Sequence, residues 1–245
     1  MLVRLALILA GLAVTGVFLG LGTWQVERRI WKLDLIDRVE ARIRAEPAPA
    51  PGPEEWAGLT AASAEYRRVR LTGRFADDRA TLVQAVTARG SGFWVLVPLA
   101  TDRGFTVLVN RGFVPTEARE RAARAAGEPD GDKTVTGLLR LSEPGGGFLR
   151  RNDPAADRWY SRDVAAIAAA RGIDRTPNAL APYFVDADAA SNPGGLPVGG
   201  LTVVAFHNNH LVYALTWYAL ALMTAAALVY ALREPRREPR RMPRR

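Results

Sequence analysis

Only two histidines occur in this 245-residue sequence, and both, His207 and His210, stand in one short segment, FHNNHLVYALTWY. If a helix starts near His207, then His210, Tyr213, Trp217 and Thr224 share one face through the three-and-four spacing. A neutral imidazole beside large flat rings at the mouth of an apolar helix suits an iron porphyrin, as axial ligand and packing surface. The plainer reading is an aromatic belt that fixes depth in a membrane. Side chains three apart project to the same side of a helix, so His207 and His210 cannot sandwich one porphyrin between them. A sixth ligand has to come from elsewhere. The same pair could hold a small metal ion in cis only with further ligands, and the sequence singles out none.

Other chemistry fails on inventory. The chain has no cysteine, which excludes disulfides, thiolate catalysis, zinc ribbons and thiolate copper sites. A Ser–His–Asp triad or a metallohydrolase would have to take its histidine from that one segment. Asp77, Asp78, Asp153, Asp157, Asp186 and Asp188 stand in turn contexts, with no pattern that selects a catalytic pair. The glycine runs ARGSGF and PGGGF read as turns rather than phosphate cradles. The expectation is a protein that is not an enzyme.

The histidines must be positioned by the apolar stretch on their C-terminal side. Leu211–Leu232 is uncharged, as is Leu5–Val26 near the other end. At about 1.5 Å per residue each run can cross a hydrocarbon layer of about 30 Å. The first run is too long for a cleaved signal and continues into a basic, helix-like segment, so an uncleaved anchor is expected. GVFLG (Gly16 and Gly20) in the first span and ALMTA (Ala221 and Ala225) in the second would let the two backbones approach closely. The ending REPRREPRRMPRR holds seven arginines against two glutamates and supplies most of the formal charge of +8. Such a block stays on the cytoplasmic side, which puts both termini there and the central region outside. Beside a membrane the tail reads as a partner for anionic lipid headgroups, not for nucleic acid. Richness in Arg, Ala and Gly with two Lys points to a GC-rich bacterial genome, and so to a bacterial inner membrane with a periplasmic domain.

Between the spans, apolar spacing carries the first helix through a 27–46 extension, which PAPAPGPEE ends. Trp24 and Trp31 flank the interface. Residues 47–209 then change character, with short β-branched and aromatic runs between Gly, Pro, Asp and Ser. Strands are predicted at 66–75, 80–86, 92–100, 106–111, 134–141, 159–161 and 183–186. Short helices are predicted at 117–128 and at 163–172, the second with an Asp cap and a Gly stop. SNPGGLPVGGL reads as a loop leading back to the membrane. The fold class is therefore α+β: two transmembrane helices, 5–26 and 211–232, flank an exported, mainly antiparallel β domain, a sheet or partly closed barrel, with a basic 233–245 tail.

An ordered set of segments carries a resemblance: LGTWQVERRIWKLDLI, YRRVRLTGRF, GFWVLVPL, VLVNRGFVP, RWYSRDV, PYFVDAD and NNHLVYALTWY. Together they resemble the surfeit locus protein family of cytochrome c oxidase assembly factors. Phe113 stands where that family's N-R-G-W-V-P segment has Trp, and Val212 where a polar residue is frequent. The resemblance implies a role in supplying haem a to the catalytic subunit of haem–copper oxidases. It places the family's histidine on His210 as haem-iron ligand, with Tyr213 and Trp217 as packing residues, and assigns nothing to His207. Implied partners are subunit I of the oxidase, a haem a synthase and membrane lipids. The rival expectation is a scaffold that stabilises an assembly intermediate and binds no haem. Copper delivery is disfavoured, since only Met1, Met223 and Met242 offer sulfur.

Overall fold

The computed structural model describes residues 2–173, 179–204, 206 and 208–233. His207 and the tail beyond Arg233 lie outside the described residues. The chain divides after Asp37 and again after Val204 into a helical unit and a β unit.

The helical unit holds most of α1 (Leu2–Arg44) and α4 (His210–Arg233). Both are long and apolar enough to span a bilayer and expose most of their apolar side chains. They fit a membrane protein. The less exposed positions of α1 include the series Gly11, Thr15, Phe18, Gly22, Gln25, Arg29 and Lys32; those of α4 include His210, Ala214, Trp217, Ala221, Thr224 and Leu228. Both series alternate four and three, the seam of a left-handed antiparallel pair. The seam is closed by Leu228 against Gly11, a Thr15–Thr224 hydroxyl bond of 3.0 Å, and Phe18 stacked on Trp217 with centroids 5.6 Å apart. A methyl group at Gly22 would fall 2.7 Å from the Tyr218 ring, so glycine is what lets that ring in. Gly16 and Gly20, by contrast, face open space. The expectation that GVFLG forms the contact is corrected: the heptad period, not the four-residue one, governs this pair.

In the β unit α1 ends at Arg44, three residues before Pro47. There follow β1 (Ala48–Pro49), α2 (Ala61–Ala64), β2 (Arg68–Phe75), β3 (Thr81–Thr87), β4 (Gly90–Thr101), β5 (Thr106–Pro115), β6 (Asp132–Leu141), the small β7–β8 hairpin (Gly146–Gly147 and Arg150–Arg151), α3 (Val164–Ala170) and β9 (Leu180–Ala187). The main sheet runs β1-β2-β6-β9-β5-β4-β3 and closes on itself where β2 also pairs with β4. Among the described strands of this sheet, β1–β2 and β5–β9 are the parallel pairs. Closure is possible at Gly73, where a Cβ would lie 2.1 Å from the Ala100 carbonyl oxygen. The result is a partly closed barrel with short helices, as the strand spacing predicts.

Period-two alternation sorts the core. Val107 and Val109 of β5 and Tyr183 and Val185 of β9 fill one cluster with Val69, Leu71 and Leu99. Leu108 and Phe184 point the other way and meet Trp159 and Ile167 under α3. α3 starts as predicted, with the Asp163 carboxylate accepting from the Ala166 amide, and stops before Gly172 at φ +61°.

Two local expectations are corrected. The Ala- and Arg-rich stretch 117–128 is no α-helix but two 3-10 turns, Thr116–Ala118 and Arg121–Gly127. Its Arg124 is buried and donates to the Arg119 carbonyl, and Gly127 is pressed against the Leu196 carbonyl, so tertiary contact overrides alanine propensity. Residues 159–161 form only a bridge from Trp159 to Val83, because the Asn152 side-chain oxygen takes the Tyr160 and Ser161 amides.

Candidate functional site

His210 is the first residue of α4, which begins three residues later than a start at His207 would have it. Its Nδ1 lies 2.7 Å from Oε1 of Gln25. An amide oxygen only accepts, so this pairing calls for the Nδ1–H tautomer and puts the lone pair on Nε2. The contact also fixes depth along α1. Gln25 is the penultimate residue of the uncharged Leu5–Val26 run, which at about 1.5 Å per residue is as long as a hydrocarbon core is thick. The imidazole is therefore registered to the edge of the apolar stretch.

The predicted face divides. His210, Trp217 and Thr224 lie on the seam with α1, whereas Tyr213 stands beside it, 55% exposed. Trp217 is occupied by its stack on Phe18. Outward of Gln25, Arg29 and Lys32 continue the α1 stripe, and the Lys32 ammonium lies 5.4 Å from the Phe206 ring centroid. Arg28 instead covers the Trp31 ring at 4.0 Å. Sequence reasoning did not single out Gln25; its place in the 11-15-18-22-25 series is the signal that points to it.

The β unit holds a second concentration of polar groups. Asp186, 2% exposed, accepts from Asn110 at 2.7 Å, Arg162 at 3.1 Å, Arg140 at 3.2 Å and Thr202 at 2.9 Å. Glu65 and Glu143 complete the arginines' partners, and both guanidiniums lie over Phe184. Burial pulls the Arg140 guanidinium down, but the Asp186 charge and the Glu65 hydrogen bond outweigh it and leave its pKa raised. Both Asp186 oxygens are saturated with donors, so this carboxylate is a structural counter-ion, not a base. Arg111 pairs with Asp77 at 3.1 Å, and there burial wins on both sides: the aspartate is pushed up and the guanidinium down despite their mutual attraction. A cleft of about 280 Å³ lies near Phe75, Lys133, Val135 and Asp188, without paired carboxylates. Among the described residues no three His, Asp or Glu side chains group as a metal site. Among the described residues, the helix pair offers an imidazole, that of His210, held through Nδ1 at the end of its apolar stretch.

Comparison with known proteins matches residues 12–222 to the SURF1 family model. The chain belongs to the SURF1 family. The match begins inside α1 and ends inside α4, so it takes in Gln25, Arg29, Lys32 and His210. Among SURF1 relatives, Surfeit locus protein 1 of Mus musculus is 39% identical over 223 residues, covering 84% of this chain and 69% of its own length. The Homo sapiens protein of the same name is 38% identical over 224 residues, covering 84% and 71%. A SURF1-like protein of Monosiga brevicollis is 36% identical over 237 residues, covering 91% and 86%.

Proposed function

We propose that the protein is a non-enzymatic assembly factor for a haem–copper cytochrome c oxidase, and that it holds haem a through His210 at the outer membrane interface before subunit I receives it. The observation that carries this reading is the Gln25–His210 contact, which holds one imidazole through Nδ1 at the edge of the apolar run. Haem a has a long apolar tail whose exposure to water costs about 0.8 kcal/mol per methylene. A ligand at the lipid boundary leaves that tail in the bilayer. A single axial nitrogen, with no three-ligand cage among the described residues, suits a cargo that has to leave again. Trp217 supports the site from within the helix pair, and Tyr213 stands free to lie against the macrocycle. The membrane is a bacterial inner membrane, with both termini cytoplasmic and the β unit periplasmic; a haem a synthase is the natural donor.

The test is the visible spectrum of protein purified from cells that make haem a, with and without His210→Ala. Colour in the wild type and its loss in the variant are expected. A colourless wild-type preparation would replace the carrier with a scaffold that binds no haem.

A further inference from the structure

Outward of the imidazole, α1 places Arg29 and Lys32 four and seven residues beyond Gln25 on the same seam. Helix rise puts them about 6 and 10 Å farther from the bilayer centre than Gln25. Two rungs tie this stretch to the chain entering α4: Gln25 to His210, and Lys32 over Phe206, four residues earlier. The two cations therefore sit on the water side of the ring nitrogen. Both are partly screened from solvent, and among the described residues neither has an ion pair. Arg121, Arg140, Arg158 and Arg162 elsewhere in the molecule all have carboxylates. Partly screened cations without a counter-ion, at a lipid boundary, call for an anion.

We infer that Arg29 and Lys32 form the carboxylate-binding half of the His210 site, pairing with the two propionates of the porphyrin whose iron His210 holds. This rests on the haem-binding reading above and adds orientation to it. With the carboxylates held outward, the opposite edge of the ring, which carries the apolar tail, turns toward the lipid. Arginine and lysine also fit the phosphate of a lipid headgroup, and the experiment separates the two sources.

The 245-residue protein, in discs of neutral phosphatidylcholine, is titrated with iron protoporphyrin IX and with its dimethyl ester, which lacks both free carboxylates, following the Soret band. The wild type is expected to bind the diacid about tenfold more tightly than the ester, the effect of two part-exposed ion pairs. In the double variant Arg29→Gln, Lys32→Gln the diacid falls to the ester's affinity and the ester is unmoved. The charge-keeping exchange Arg29→Lys, Lys32→Arg retains the preference. Equal binding of both porphyrins by the wild type, as lipid phosphate binding would give, or equal weakening of both in the variant, overturns the inference. His210→Ala tests the underlying reading separately: undiminished binding of the ester there would remove the iron ligand itself.

Discussion

A single hydrogen bond decides what His210 can do. With Nδ1–H directed to the Gln25 oxygen at 2.7 Å, the ring cannot rotate freely and Nε2 is the nitrogen that keeps a lone pair. Partners of this kind orient metal-binding histidines, and losing one typically costs about 10–100-fold in affinity. Gln25→Ala is accordingly expected to weaken iron porphyrin binding by about that factor, measured by Soret titration, while the protein's melting temperature stays close to wild type. Gln25→Glu is expected to keep binding and lower the midpoint potential of the bound iron, since a carboxylate acceptor makes the ring a stronger donor. An unchanged affinity in the alanine variant would show that the ring needs no orienting partner.

At the scale of elements, the helix pair places this ring, and its register comes from small residues at heptad positions. A Cβ at Gly22 would meet Tyr218 ring atoms at 2.7–3.0 Å, whereas one at Gly16 meets nothing within 4 Å. Gly22→Leu should therefore push the helices apart next to Gln25 and cost about 1–3 kcal/mol of the pair's stability. Gly16→Leu should be silent. Resistance to unfolding by SDS reads both, and equal sensitivity of the two variants would contradict the heptad seam. In the β unit, closure at Gly73 and the two-sided burial of β5 likewise depend on where one backbone passes another, not on strand propensity.

Across the molecule, buried charge makes the β unit sensitive to pH. Burial raises the Asp77 carboxyl above its ordinary value of 3.8, more than Arg111 lowers it. The folded state then holds this proton more tightly than the unfolded chain does. Asp77 contributes stability that is fully present below that ordinary value and is lost as pH rises through the folded one. Melting temperatures of the wild type and of Asp77→Asn, compared in detergent across the acid range, should show the wild type losing ground as pH rises above 3.8. A wild type that gained ground would mean that the Arg111 pairing outweighs burial.

Much of this protein was legible without a structure. Two uncharged runs, the α1 extension, six of the seven strand positions and the α3 caps follow from hydropathy, period and turn chemistry, which are local properties of the chain. The ordered segments pointed to the family. Other features were settled only by the fold. Residues 117–128 gave up an α-helix because Gly127 is held by Leu196 and Arg111, neighbours distant in sequence, while Arg124 turns back on the Arg119 carbonyl, and 159–161 gave up strand pairing to Asn152. Gln25 became a partner of His210, 185 residues away, only once α1 and α4 paired along a seam that neither helix shows alone. A heptad stripe on one helix says which face is buried. Which residue stands opposite depends on the register of two surfaces, and that is a property of the packed molecule.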